Sequence, residues 1–187
     1  MSKPADCGCY GQKQAQEDSS AVDFSQEQKM LVQDSWAIFS IGDQPQVVTD
    51  TTYLYVNLFR IRPDAAALFG FKEDDPLTEE AVLGNQRLKT HVGRVVKGLD
   101  FIVKNMYDLE EVGDFLHELG ARHVKYRARN EFFQPIKESM LFAFERKLGS
   151  QFTPQVKQAW GVLLDIVTTH MQEGLREACA AKNSQEQ

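Results

Sequence analysis

Cysteine is scarce, with three in 187 residues, at positions 7, 9 and 179. Three make no disulfide framework, so the sequence predicts free thiols and an intracellular, reducing location. Long apolar runs are missing too. Nothing approaches the roughly 20 residues of a membrane span, and no charged start leads into the apolar core of a secretory signal. Met1-Ser2 lacks the glycine that myristoylation requires, which leaves acylation of Cys7 or Cys9 as the remaining route to a membrane. Basic residues are outnumbered, 21 against 27 acidic ones for a net charge of −6. They are scattered along the chain, a balance that repels phosphate backbones and argues against nucleic acid as a partner. Also absent are credible β alternation and the H-E-x-x-H, Cys-x-x-Cys and Glu-x-x-His patterns of zinc and di-iron sites; Asp114-Phe115-Leu116-His117 stands alone.

What is present is helical periodicity. Apolar residues make up 42% of the chain and charged ones 26%, ordinary proportions for a globular protein. The pattern predicts one all-α domain over residues 25–178, between a polar, disordered tail at 1–24 and a second tail at 179–187. A domain of that size buries about 70% of its unfolded surface and has room for a cofactor inside. Ser25 with Gln28 forms a capping box ahead of Val32, Trp36 and Phe39, and that helix ends near Gly42. Asp43 caps the next, whose inner row Val48, Thr52, Tyr55 and Phe59 stops at Pro63. Residues 70–76, with Glu73, Asp74 and Asp75, read as a solvated loop. Two more helices follow late in the chain. One enters at Asn130 with Phe133, Ile136, Met140 and Phe144 inward. The other, after Gly149, begins at Thr153-Pro154 with Val156, Trp160, Leu163 and Val167 inward.

Two histidines interrupt the apolar rows, 32 positions apart. Leu88, Val92, Val95, Leu99, Ile102 and Met106 step by 4, 3, 4, 3, 4, and His91 borders that face. Val112, Leu116, Leu119 and His123 step by 4, 3, 4, so the second imidazole belongs to its row. An unpartnered buried imidazole costs about 1–3 kcal/mol, so His123 needs a hydrogen bond or a metal. Its helix can aim one ring nitrogen at a metal while the other donates to the carbonyl of Leu119, and His91 can approach from the opposite side. On spacing alone, a satisfied core histidine and a metal ligand both remain open readings.

The segments Leu58-Phe59-Arg60-Ile61-Arg62-Pro63-Asp64, Leu68-Phe69, His91 with Val95, Leu119-Gly120-Ala121-Arg122-His123, and Phe152-Thr153-Pro154 with Ala159-Trp160 resemble the globin family in order and separation. The likeness extends from about Phe24 to Leu175 and is nearest to the hexacoordinate neuroglobin and globin X branch. It implies a three-over-three helical sandwich around haem b, iron protoporphyrin IX. His123 would be the proximal iron ligand and His91 the distal one. Phe69 would wedge against the porphyrin, Val95 would lie beside the ligand pocket, and Arg94 would meet a propionate. Leu68, Phe71, Leu119, Ala128 and Phe133 would line the walls, with Trp36 in a packing role. Tyr55 stands where neuroglobins usually carry phenylalanine, and its phenol can donate a hydrogen bond to bound dioxygen. Phe71 replaces a tyrosine, which removes a propionate contact.

His117 and His170 match no ligand position. The resemblance implies reversible binding of dioxygen and other small diatomic ligands by a protein with no catalytic residues; the expected location, cytoplasmic or at a membrane through the N-terminal tail, comes instead from the missing secretory signal and from Cys7 and Cys9. Its alternative is redox work as a nitric oxide dioxygenase, nitrite reductase or electron-transfer protein, served by a separate reductase.

Overall fold

Side-chain caps set where most helices begin. In the computed structural model, which describes residues 24–185, the Gln28 amide donates to the Ser25 hydroxyl and the Ser25 amide to the Gln28 side chain, opening α1 at Gln26–Phe39. Asp43 caps α2, Gln44–Ile61, in the same sense. Pro63 then turns the chain into a 3-10 stretch, Pro63–Phe69, closed by Gly70 at φ 88°. The acidic residues 73–75 lie in a turn-rich segment, as the sequence suggests.

Thr78, Asn85 and Asp108 cap three further helices: α3, Glu79–Gly84; α4, Gln86–Asn105; and α5, Leu109–His123. The short α3 carries too few turns to show a period, and the sequence reading passed over it. Asn130 heads a 3-10 turn, Asn130–Phe132, that makes no side-chain cap, and α6 follows at Phe133–Leu148. Thr153 accepts from the Val156 amide at the start of α7, Pro154–Gln185.

The fold is all-α, with α1, α4 and α5 laid over α2, α6 and α7. Its centre is aromatic. Trp36 stacks on Phe39, whose ring meets Phe144 edge-on, and Phe144 lies against the fully buried Trp160. The buried indole of Trp160 donates to the Ser35 hydroxyl at 2.9 Å, so this polar atom is satisfied. On α4 the inner row runs through Val96, 6% exposed, with Val95 only half-buried; the face therefore turns slightly from the row read in the sequence.

Both chain ends depart from expectation. Phe24 is core, 6% exposed, although the sequence places it in the tail. Past residue 178 the polar composition suggests a second tail, yet α7 continues to Gln185. The reason is a row the composition hides: Met171, Leu175 and Cys179 step by four and pack against Val124, Ala128 and Phe133. Cys179 is 1% exposed and disulfide-bonded, which corrects the expectation of free thiols; Cys7 and Cys9 lie outside the described residues.

α5 and α7 touch backbone to backbone. A Cβ at Gly120 would overlap the Met171 carbonyl, one at Gly174 the His117 carbonyl, and one at Gly113 would come within 3.1 Å of the His170 ring. Gly174→Ala should therefore lower stability by about 1–3 kcal/mol and the thermal midpoint by roughly 3–10 °C. Gly161→Ala, on the same helix with open space around its Cβ, should leave the midpoint unchanged or slightly raised in the same melting experiment.

Candidate functional site

The inner row of α2 delivers Tyr55, the 3-10 stretch after it ends on Phe69, α4 supplies His91, and the last residue of α5 is His123. Their rings meet. His91 lies 5.8 Å from Tyr55 and 5.4 Å from Phe69 between centroids, and Tyr55 stands edge-on to Phe69 at 5.0 Å. Phe59 and Phe71 extend the aromatic wall, at 5.8 Å from Phe69 and from Phe59 respectively. Opposite, the imidazole of His123 is 6.5 Å from that of His91, with the two planes 78° apart.

His123 is held in one tautomer. Its Nδ1 donates to the Leu119 carbonyl at 2.6 Å, one turn back on α5, because a carbonyl oxygen can only accept. Nε2 then keeps its lone pair, the state a metal ligand requires. His91 makes no hydrogen bond to any described residue, although it is half-buried among apolar rings. Two imidazoles bonded to one metal at about 2 Å each stand with centroids roughly 6.3 Å apart, so the 6.5 Å observed fits a shared ion between them.

Among the described residues no group of three or more His, Cys, Asp or Glu side chains is placed to hold a metal. The His91–His123 pair offers two donors, so an ion between them would take its remaining donors from outside the described side chains.

The other site residues divide. Tyr55 is 3% exposed, its phenol makes no hydrogen bond to a described residue, and burial pushes its pKa above the ordinary range, keeping it a neutral donor. Leu68, Phe71 and Val95 are half-buried and pack on the main core. Arg94 is exposed and forms no ion pair among the described residues, yet it lies near enough to His91 to disfavour a second positive charge there. Ala128 and Phe133 are grouped with Leu175 and Cys179, beside the corner that follows His123, rather than with the aromatic wall.

His117 faces Glu177 at 3.1 Å and His170 lies 3.9 Å from Glu173, both away from the imidazole pair. Sequence reasoning missed Tyr126, half-exposed, whose ring is 6.2 Å from that of His123. Its only sequence signal is a spacing of three from His123, and a 3-10 turn at Val124–Tyr126 realises it.

Helix order, layering and a histidine facing pair define a globin-type site. The globin family model matches residues 52–171, and the chain belongs to that family. The chain is 29% identical over 150 residues to the neuroglobin of Dissostichus mawsoni, a match covering 80% of this chain and 91% of that protein. Danio rerio neuroglobin is 28% identical over the same length and shares. Among solved structures, a hexacoordinated haem protein from an anhydrobiotic tardigrade, determined at pH 4, superposes with a TM-score of 0.71 at 18% identity, over 81% of this chain and 95% of that one. At that identity the likeness speaks for the fold.

Burial lowers the pKa of His91 from 6.5 to about 4, helped by His123 and Arg94. Burial also lowers that of His123, against the opposing Leu119 hydrogen bond, with Arg122 and Lys125 adding to the fall. The unfolded chain consequently binds more protons than the folded one between pH 6.5 and about 4. Stability of the metal-free chain is expected to fall as pH drops through that window, by up to about 3 kcal/mol from His91. His91→Leu should flatten this acid limb in thermal melts taken from pH 7 to 4; an unaltered slope would contradict the account.

Proposed function

We propose that His123 and His91 hold the iron of haem b from opposite faces, and that the protein reversibly binds dioxygen and other small diatomic ligands. The observation that carries this reading is the 6.5 Å separation of two imidazoles, one of them fixed in its tautomer by Leu119. Haem would supply the iron and the further nitrogen donors that the protein side chains lack. The chain has no Cys-x-x-Cys-His attachment motif, which favours haem b held without covalent links. In this reading Phe69 and Val95 would pack on the ring, Leu68, Phe71 and Leu119 would contribute wall beside the pair, Ala128 and Phe133 would back the corner behind His123, and the exposed Arg94 would pair with a propionate.

His91 then competes with any external ligand, and the apparent affinity is the intrinsic one scaled by the fraction of molecules in which His91 has swung away. Tyr55, its ring 5.8 Å from that of His91, would donate a hydrogen bond to a polar diatomic bound there. Such a bond contributes about 0.5–1.5 kcal/mol, or roughly two- to tenfold in affinity.

A second reading, electron transfer or redox turnover on nitric oxide or nitrite with a separate reductase, draws support from Tyr126, a half-exposed ring beside His123. A stable dioxygen complex favours binding; rapid autoxidation with fast enzymatic re-reduction favours turnover. No helix among the described residues is long and apolar enough to cross a membrane. A cytoplasmic location is part of this proposal, in a compartment that tolerates the disulfide at Cys179. Acylation of Cys7 or Cys9 concerns positions outside the described residues.

Deoxygenated ferrous protein should show the sharp paired visible bands of low-spin iron, and His91→Leu should replace them with one broad band. His123→Ala should abolish the Soret absorbance. Tyr55→Phe is expected to speed dioxygen release by about two- to tenfold in stopped-flow measurements on the reduced protein; an unchanged rate removes the phenol from the mechanism.

A further inference from the structure

The corner behind His123 is joined to the end of α2 by four charged side chains that the two-histidine reading leaves without a task. Arg62 grips Asp64 bidentately, Nε to Oδ1 and Nη2 to Oδ2, both at 2.9 Å. It also reaches across to Glu131, at 2.9 Å to the carboxylate and 3.3 Å to the backbone carbonyl. Arg129 closes the ring from the other side, pairing with Asp64 and, at 2.8 Å, with Glu131. Both guanidinium groups lie over the ring of Phe132, at 4.9 and 4.4 Å from its centroid, and Phe132 is 5% exposed.

Isolated surface ion pairs contribute little; bidentate geometry and a closed network are the exceptions. This network has both, on a floor of buried aromatic ring that orients the two planar cations. Hydrogen bonds from Arg62 and Arg129 hold the Asp64 carboxyl below its usual range, so it stays charged.

Its two ends lead to opposite sides of the site. From Asp64 the 3-10 stretch runs to Phe69, which touches His91. On the other side, Arg129 follows Ala128, whose amide donates to the carbonyl of His123 at 3.3 Å. The intervening chain is folded tightly, with Arg127 in the left-handed region at φ 60° and its amide bonded to Val124. A displacement at Arg129 is thereby passed to the residue carrying the imidazole.

We propose that Arg62, Asp64, Arg129 and Glu131 form a clasp that positions His123, fixing the spacing at which both imidazoles hold one metal. The inference rests on the bis-histidyl haem reading above. Loosening the clasp lets His123 settle away from the shared position, so the population with His91 released grows. Because the clasp is only partly buried, salt loosens it: the Debye length falls from about 8 Å at physiological ionic strength to about 3 Å at 1 M.

The test uses full-length haem-loaded protein with Arg62→Ala, Arg129→Ala and Arg129→Lys variants. Arg129→Ala is expected to weaken the paired ferrous bands and raise the rate of carbon monoxide binding by about three- to tenfold. Arg129→Lys should recover only part of that loss, since an ammonium cannot make the planar double contact. In the unaltered protein, 1 M sodium chloride should reproduce the effect, and in Arg129→Ala it should add less, since only the Arg62 pairs remain to be screened.

A readout independent of ligand binding is amide hydrogen exchange of residues 124–132, which should quicken in both arginine-to-alanine variants. A lowered thermal midpoint with unchanged bands, carbon monoxide rates and exchange would reduce the clasp to a purely structural feature and overturn the proposal. Should the variants fail to fold, the salt titration of the unaltered protein decides, and indifference to salt overturns it. Absence of a Soret band from the unaltered protein would instead overturn the haem reading itself.

Discussion

The hydrogen bond from His123 Nδ1 to the Leu119 carbonyl is the constraint from which the site follows. It satisfies one nitrogen of a ring lodged at the end of α5 and leaves the other with a lone pair. It also restrains rotation of the ring, since turning it away would break that bond. The rest of the chain works to present a second imidazole at the matching distance. α4 carries His91 on the edge of its buried face, and the rings of Tyr55 and Phe69 pack against it. Neither imidazole can carry a proton cheaply in these surroundings, so both are kept in the form that binds metal.

Two helix pairs hold this arrangement in place. α5 is drawn against α7 by glycines at positions 113, 120 and 174, where any side chain would meet backbone or ring. α2 and α6 are bound through a buried hydrogen bond between Asn57 and Ser139 and through the ion pair of Lys147 with Asp50. These polar links are few, and each joins matched partners. The aromatic knot of Trp36, Phe39, Phe144 and Trp160 supplies the apolar centre between the layers.

Much of this is legible in the chain because helical period and local chemistry agree. The Ser25–Gln28 box, the Asp43 cap and the Thr153-Pro154 start appear in the structure as read. His91 and His123 stand out because each is a costly residue beside a regular apolar row, and the sequence also suggests Leu119 as hydrogen-bond acceptor. What was not legible depends on tertiary context. α3 is too short to show a period. The row from Met171 to Cys179 is buried only because the corner after His123 folds onto it. Tyr126 touches His123 through a 3-10 turn that the sequence does not announce. Ion-pair networks such as that around Phe132 involve partners more than sixty residues apart, and no periodicity reports them.

The close approach of α5 to α7 has a kinetic corollary. With backbones already in contact at Gly120 and Gly174, α5 has no room to move closer to α7, whereas α4 meets α5 only sparingly. Under the proposed two-histidine haem reading, any opening between the imidazoles would fall to the His91 side chain or to α4. Motions of that kind span nanoseconds to milliseconds. The packing is accordingly asymmetric: the side bearing His123 is fixed by backbone contact and the side bearing His91 by side chains alone.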